Sequence, residues 1–553
     1  MLLKRTETKV RKISLFICTA MTAALCFSCG DKEKGDGRNH MYDIPLCGNP
    51  QSLDPQFAAD PSSNTVIKNL YSGLVSADEN GNISCCNALS YNISPDGLTY
   101  SFTLRQDNFW SIDRNRNDII EEDECFPVVA DDYVFALQRL LDPKMQSPYA
   151  LDFSCIKNGE QIISGQASPD TAGVSAPDDF TLVIELEHPS AEFMGMLAST
   201  AAFPCNREFF DSTKGKYGLD DQSVMSNGPF YMRQWFYDPY GVHNILYMRR
   251  NDKNVTETYA VMPSHLNFTI QKNEADIRQL FKDEEIECIT TLSGSYRGSK
   301  YSVSSSRPIT LGLIFNDEDR LFRSIDLRKA LALATDRDSL EEVIGSDITV
   351  ASGIIPPAVT LAGRSYRELV SDGQFARFDV TEAKDCLDKA KKSLGVGSVD
   401  QVKILVNADT VDSGDLHKLS QSWQELLGVY IGIEDVTPEE FEKRISQGEY
   451  SLALYPLTGD INSGISVMEQ FTKEQCLKKI PGADGIMDKL MACGTAAEAV
   501  EAYTSAERDI LSGYGFVPLF YKNAYLVAEK DNEDIFYDPF SGAVDYRIAQ
   551  NYS

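Results

Sequence analysis

Hydrophobic and polar positions follow two periods along the chain, which predicts a mixture of strands and helices. Phe102 and Leu104 alternate with polar residues after a Pro-Asp-Gly turn, as expected for a half-buried strand. Val66, Leu70 and Leu74 instead recur at helical spacing after an Asp-Pro-Ser-Ser helix start. Further strands are predicted at residues 181–189, from 245 onward and at 309–316.

The most regular pattern lies between residues 402 and 457. It predicts strands at 402–407, 429–436 and 450–457, with helices between them at 415–428 and 438–448. This β-α-β-α-β order requires parallel strands with right-handed crossovers, so the fold class is α/β. Ligands of such sheets bind beyond the carboxyl ends of the strands. The loop after the third strand contains Asp460, whose carboxylate we therefore expect to face a crevice.

The N-terminus has the pattern of an export signal. A basic start with Lys4, Arg5 and Lys9 precedes an apolar run at residues 13–27, which is short for a membrane-spanning helix. The sequence Leu-Cys-Phe-Ser-Cys-Gly that ends the run resembles a bacterial lipobox, with Cys29 as the lipidated residue. An uncleaved single-span anchor is the alternative. Residues 31–40 are polar and aperiodic, as expected of a flexible tether.

Composition and charge narrow the range of partners. The chain has 553 residues, of which 42% are hydrophobic and 24% charged, which predicts a globular protein with two or three lobes. Its net charge of −30 disfavours binding to nucleic acid or to anionic lipid headgroups. The same charge would attract a cationic ligand.

An acidic insertion at residues 113–124 has the spacing of a twelve-residue calcium loop. Asp118 stands where the sharp turn of such a loop prefers Gly, although Asp tolerates a positive φ better than most residues. The alternative is a solvated acidic loop. If calcium binds, it stiffens this insertion; no other cofactor is predicted. The candidate ligands are Asp113, Asn115, Asn117, the carbonyl of Ile119, Glu121 and Glu124.

Motifs of common hydrolases and nucleotide-binding enzymes are missing from the sequence. It has no HExxH, no Gly-x-Ser-x-Gly and no Gly-x4-Gly-Lys. The few histidines are scattered, and carboxylate pairs carry little information in so acidic a chain. We therefore expect a binding protein, not an enzyme; a secreted hydrolase is the less favoured reading.

Successive blocks of the sequence resemble the oligopeptide-binding proteins of bacterial ABC importers, in solute-binding family 5. They extend in order over nearly the whole chain and include NLYSGLVSAD, SPDGLTYSFTLR, VVADDYVFALQRLLDP, SNGPFYMRQW and LRKALALATDRDSL. The resemblance implies a two-lobed periplasmic-binding-protein clamshell with an additional β-rich subdomain in the first lobe. Such lobes close on a ligand by a hinge motion.

The resemblance also implies a division of the chain. Lobe I would be built from three separate segments, with the extra subdomain inserted between the first two and lobe II between the last two. The expected ranges are 1–28 for the signal peptide, 29–40 for the tether, 41–75, 203–305 and 527–553 for lobe I, 76–202 for the extra subdomain and 306–526 for lobe II.

A ligand-binding motif of the family is partly present. In oligopeptide binders the peptide's terminal ammonium pairs with an Asp in a stretch written Ala-Asp-Tyr-x-Asp/Glu-Pro, which aligns here with residues 459–464. The Asp is kept as Asp460, while the Tyr and the acidic-Pro pair are not. A buried ammonium requires a fixed opposite charge, which independently favours this role. The resemblance thus implies ligand contacts by Gly459, Asp460 and Asn462.

The function implied is capture of oligopeptides outside the cell and delivery to an ABC permease. The expected protein is a monomer, exported and anchored by lipid at the outer face of the cytoplasmic membrane or in the periplasm, with no nucleic-acid partner. Relatives with this fold bind metal chelates or sugars, and a peptide-sensing receptor or adhesin is a further alternative. Fold analogy alone does not separate these.

Overall fold

The structure is a computed structural model. It describes residues 36–240, 244–256, 260–298, 300–342, 344–370, 377–480, 485–491 and 493–553. The predicted signal peptide, Cys29 and most of the predicted tether lie outside these residues.

The first sheet is formed by strands from both sides of the extra subdomain. Tyr42, Ile44 and Leu46 alternate with more exposed positions, so one face of the first strand packs on the core. Strands Met41–Cys47 and His265–Gln271 pair in parallel, and the other pairs of this sheet are antiparallel. In spatial order the strands are Met41–Cys47, His265–Gln271, Ile245–Arg250 and Phe230–Phe236.

The helix predicted after Asp60 forms, but it is shorter than its apolar pattern suggests. The Asp60 carboxylate accepts a hydrogen bond from Ser63 N at 2.9 Å and caps helix Pro61–Leu70. Tyr71 is extended and ends the helix, so Leu74 lies outside it. The prediction that Leu74 shares the helix face is therefore wrong. Leu74 is nevertheless buried, as an apolar residue leading into the next strand.

The range expected for the extra subdomain, residues 76–202, contains a four-stranded sheet covered by helix Ala130–Leu141. All pairs of this sheet are antiparallel. Phe102 and Leu104 are buried, as their alternation predicts. The strands, in spatial order, are Ala88–Ile93, Thr99–Leu104, Thr181–Glu185 and Val174–Asp178.

The third and largest sheet confirms the β-α-β-α-β unit. Strands Lys403–Asn407, Gly432–Val436 and Leu452–Leu457 are parallel, with helices Ser413–Leu427 and Pro438–Gln447 between them. The sheet as a whole is mixed, because four further strands run antiparallel to their neighbours. These are Cys288–Thr291, Ser302–Phe315, Ile348–Val350 and Phe516–Ala528.

Two long strands cross the boundaries expected between lobe I and lobe II. Ser302–Phe315 and Phe516–Ala528 pair antiparallel over most of their length, and every residue of the second is buried. The domain boundaries expected at 305/306 and 526/527 fall on these strands, where Ser305 is paired with Tyr525. The two expected hinge segments therefore lie side by side. The domain ranges themselves stay a prediction.

The large sheet is covered on both faces by apolar residues. Leu313, Ile404 and Leu454 pack on one face with Trp423, which is fully buried. Residues of the opposite face, such as Leu405, join the core that continues into lobe I and the extra subdomain. Helices that cover the sheet include Ile325–Leu333, Val380–Leu394, Gly464–Lys473 and Ala496–Ser512.

The remaining elements are short. The other α-helices of the described residues are Gly159–Ile163, Phe193–Leu197, Arg207–Ser212, Glu274–Lys282, Arg337–Glu341, Tyr366–Leu369, Gln475–Lys478 and Ile486–Leu490. Single 3-10 turns occur at Glu122–Glu124, Pro169–Thr171, Thr200–Ala202 and Gly294–Tyr296. Short strands are Val75–Ala77, Ile83–Cys85, Phe109–Ser111, Cys125–Pro127, Thr360–Leu361, Arg364–Ser365, Asn532–Glu533, Phe536–Tyr537, Val544–Asp545 and Gln550–Asn551.

Candidate functional site

The predicted ligand loop lies where the third parallel strand ends. Strand Leu452–Leu457 leads into residues 458–463, and helix Gly464–Lys473 follows. The hydroxyl of Ser466 accepts hydrogen bonds from Asp460 N at 3.0 Å and from Ile461 N at 3.4 Å. The first turn of the helix therefore fixes the backbone of the loop.

The Asp460 carboxylate is paired within the protein. Its Oδ2 lies 3.1 Å from Lys473 Nζ, and Gln470 Nε2 donates to the same oxygen at 3.4 Å. The side chain stays 40% exposed and lines a cavity of about 540 Å³. An incoming cation can therefore reach Asp460, but it would share this carboxylate with Lys473.

The other two predicted ligand contacts have structural neighbours. An added side chain at Gly459 would meet Ile461 O and Ser466 at 3.1 Å, so the loop is packed tightly at this point. Asn462 Oδ1 accepts from Thr360 N at 2.9 Å, and its amide nitrogen donates to the Thr360 hydroxyl at 3.1 Å. Neither Gly459 nor Asn462 lines the cavity at Asp460.

The cavity has one wall that contains its apolar side chains and one that is wholly polar. The extra subdomain contributes the apolar side chains, among them Leu141, Pro148 and Leu151, together with the polar residues Asp142, Gln146 and Ser147. Lobe II contributes the polar wall, which consists of Asp460, Gln470, Lys473 and Glu474. Such a pairing of an apolar surface with a few polar groups is typical of ligand pockets.

Lys473 joins the two walls. Its ammonium donates to Pro148 O of the extra subdomain at 3.0 Å and lies 2.9 Å from Glu469 Oε1. Burial alone would lower the pKa of Lys473, but the carboxylates of Asp152, Glu469 and Asp460 raise it above its ordinary value. The side chain is therefore a permanent cation in the wall of the cavity. No motif or spacing in the sequence identifies this residue.

Glu192 forms a second polar contact between the extra subdomain and lobe II. Its carboxylate accepts hydrogen bonds from the Ser463 hydroxyl, from Gly464 N at 3.0 Å and from Ile465 N at 3.4 Å. These groups form the N-terminus of helix Gly464–Lys473, where a negative charge is favourable. Burial raises the pKa of Glu192, while the hydrogen bonds oppose that shift.

The candidate calcium loop connects strands Phe109–Ser111 and Cys125–Pro127. Asp113 accepts from Asn117 N at 3.1 Å and from Asp118 N at 3.0 Å. Asp118 has a φ of +67°, at the position where a calcium loop prefers Gly. The Arg233 guanidinium, with help from Arg249, holds the pKa of the Asp118 carboxyl below its usual range.

The remaining candidate ligands close the same loop. Glu124 accepts from Arg114 N at 2.9 Å and from Glu121 N at 3.2 Å. The Asn115 amide donates to Glu121 at 3.3 Å, and Ile119 N donates to Asn117 Oδ1 at 2.9 Å. Across the described residues, no group of three or more His, Cys, Asp or Glu side chains is placed to hold a metal ion. Calcium binding here stays a prediction.

The predicted lipid anchor cannot be placed, because Cys29 falls before the first described residue. In the part of the chain that the structure describes, no helix combines the length and the apolarity needed to cross a membrane.

The sequence model described as "Bacterial extracellular solute-binding proteins, family 5 Middle" matches residues 86–478. The chain belongs to this family. The oligopeptide-binding protein OppA of Bacillus subtilis is 24% identical to this chain over 83% of both chains. The dipeptide-binding protein of Lactococcus lactis is 24% identical over 94% of this chain and 95% of its own.

Solved structures show the same fold. The substrate-binding domain of an oligopeptide ABC transporter from Bacillus anthracis superposes with a TM-score of 0.69 at 23% identity. That match covers 94% of this chain and 100% of the other. Listeria monocytogenes OppA bound to peptide gives a TM-score of 0.69 at 20% identity, over 93% and 99%. The two-lobed α/β fold that the resemblance implies is therefore confirmed.

Proposed function

We propose that this solute-binding protein captures peptides outside the cytoplasm and delivers them to the permease of an ABC importer. The observation that carries the proposal is the position of the Asp460 carboxylate. It follows a parallel strand of lobe II and lines a cavity whose other wall belongs to the extra subdomain. Relatives over nearly the full chain length are named as oligopeptide- or dipeptide-binding proteins. The protein performs no chemical step of its own.

Asp460 receives the terminal ammonium of the peptide in this proposal. Its exposed fraction of 40% leaves room for a second cation beside Lys473. Two cations on one carboxylate repel each other, so each pairing is weaker than an isolated buried ion pair. Asp460 therefore orients the end of the peptide in this proposal. Hydrogen bonds between the peptide backbone and the protein supply most of the affinity.

Export and anchoring complete the proposed role. Acylation at Cys29 would attach the protein to the outer face of the cytoplasmic membrane or within the periplasm, near its permease. The tether before the first sheet would leave the lobes free to close. The protein acts as a monomer in this proposal, because one chain contains both walls of the cavity.

Native mass spectrometry of the protein as purified tests this function. We expect an adduct that fragments as a peptide. After removal of the adduct by unfolding and refolding, isothermal titration with a mixed tripeptide library should restore saturable binding. Retention of a sugar or a metal chelate, with no response to the library, would contradict peptide capture.

A further inference from the structure

A buried group of charges lies behind the polar wall of the cavity. Asp152 belongs to the extra subdomain, whereas Glu469 and Lys473 belong to helix Gly464–Lys473 of lobe II. Both carboxylic acids are fully buried, with 0% of their surface exposed. The group therefore exists only while the extra subdomain is docked against lobe II.

Negative charge exceeds positive charge in this group. Lys473 is the cation for Glu469 at 2.9 Å and for Asp460 at 3.1 Å. Asp152 adds a third carboxyl, and among the described residues no basic side chain forms an ion pair with it. The polar side chains of Ser466 and Tyr149 also face the group. A buried, unpaired carboxylate costs several kcal/mol, so the group needs one more positive charge.

A dissolved cation or the charged end of a ligand cannot supply this charge. Asp152 and Glu469 do not line the cavity and have no exposed surface. Of the group, Lys473 and Asp460 line the cavity instead. A proton, by contrast, needs no additional volume, and two adjacent carboxyl groups commonly share one.

We propose that Asp152 and Glu469 share a single proton when the extra subdomain is docked on lobe II. Docking takes this proton up from solvent, and separation of the two surfaces returns it as both acids ionise. Glu469 carries the negative charge beside Lys473, and Asp152 keeps the proton between the two oxygens. The pair makes closure of the molecule dependent on pH.

The direction of the pH dependence follows from the environment of the pair. Burial raises the pKa of Asp152 well above its ordinary value, and the neighbouring charges of Glu469 and Asp460 raise it further, while Lys473 opposes this. Burial also raises the pKa of Glu469. A raised pKa in the docked form means that docking binds protons between the ordinary carboxyl pKa and the raised one. Docking is therefore favoured as pH falls through this window and weakened as pH rises.

Replacement of Asp152 by Asn tests the proposal, because the amide mimics the protonated acid at every pH. Asp170→Asn is the matched control, since Asp170 is an exposed acid of the same subdomain. Urea unfolding of the ligand-free full chain is measured from pH 5 to pH 8. As pH rises, we expect the folding equilibrium constant of the wild type to fall relative to that of Asp152→Asn, by up to about tenfold per pH unit. The control should follow the wild type.

Small-angle scattering of the same samples measures docking directly. The radius of gyration of the ligand-free wild type should rise with pH, while that of Asp152→Asn stays constant. Parallel unfolding profiles for wild type and Asp152→Asn, or a radius independent of pH in both, would overturn the proposal. No ligand enters either measurement, so a failure here differs from a failure of peptide binding.

Discussion

At the scale of single residues, Asp460 and Lys473 form the ion pair that a peptide end would meet in the proposed site. The ammonium of Lys473 is fixed from three sides, by Asp460, by Glu469 and by the carbonyl of Pro148. A ligand ammonium must therefore approach Asp460 from its exposed side. The ligand end that fits is one that adds a cation without displacing this lysine.

Asp460→Asn removes the charge and keeps the size of the side chain. We expect the affinity for free-amine peptides to fall roughly tenfold, about 1.4 kcal/mol, because the pairing is partly solvated and shared. N-acetylated peptides should bind wild type and variant equally. Isothermal titration of each peptide with each protein checks this. A variant that still prefers the free amine as strongly as the wild type would exclude Asp460 as the ammonium partner.

Glu192 is the residue on which docking of helix Gly464–Lys473 depends most directly. Glu192→Ala would leave the donors of Ser463, Gly464 and Ile465 unpaired in a buried interface. We expect the free energy of unfolding to drop by about 2–3 kcal/mol in urea titrations. Glu192→Gln keeps one acceptor oxygen and should lose less. Equal losses for both variants would show that the charge, and not the hydrogen bonds, stabilises the helix start.

At the scale of elements, the insertion at 113–124 has the residue spacing of a calcium loop, but its candidate ligands form hydrogen bonds within the protein. For calcium to bind, Glu124 would have to release the amides of Arg114 and Glu121. We therefore expect weak binding, with a Kd of about 10⁻⁴–10⁻³ M, as in extracellular calcium modules. Titration calorimetry should show heat with the wild type and none with Glu124→Gln. If neither protein gives heat, the insertion does not bind calcium and is a hydrogen-bonded acidic loop.

Elements coded by local patterns could be predicted from the sequence. The helix Pro438–Gln447 begins where Thr437 caps it and ends at Gly448, which has a φ of +70°. These signals act within a few residues, so periodicity and capping identify them. The sequence of strand Phe516–Ala528 does not reveal that it pairs with strand Ser302–Phe315. Strand pairing is decided by contacts between residues that are distant in sequence.

The same distinction holds for the site. Topology alone placed Asp460 at the end of a parallel strand, and there the structure has it. Lys473 is thirteen residues further on and Glu192 lies 271 residues from Ser463, so no spacing in the sequence connects them to the loop. Charged residues of an interface carry no signature of their own, because their role depends on which surfaces the fold brings together.

At the scale of the whole molecule, charge and attachment to the membrane are connected. A net charge of −30 disfavours contact with anionic headgroups, so the folded body has no electrostatic reason to stay at a membrane surface. In the proposed function, attachment therefore depends on acylation of Cys29. Two or more acyl chains hold a protein stably, whereas a protein without them is released.

Cys29→Ser should therefore move the protein from the membrane fraction to the soluble exported fraction. The wild type should incorporate labelled palmitate and stay with membranes after a high-salt wash, because the attachment is hydrophobic and not electrostatic. Immunoblots of the fractions and autoradiography of the label measure both effects. If the wild type incorporates no palmitate and both proteins stay with the membranes, the apolar run at residues 13–27 is an uncleaved anchor, and the lobes are tethered through a spanning helix instead of a lipid.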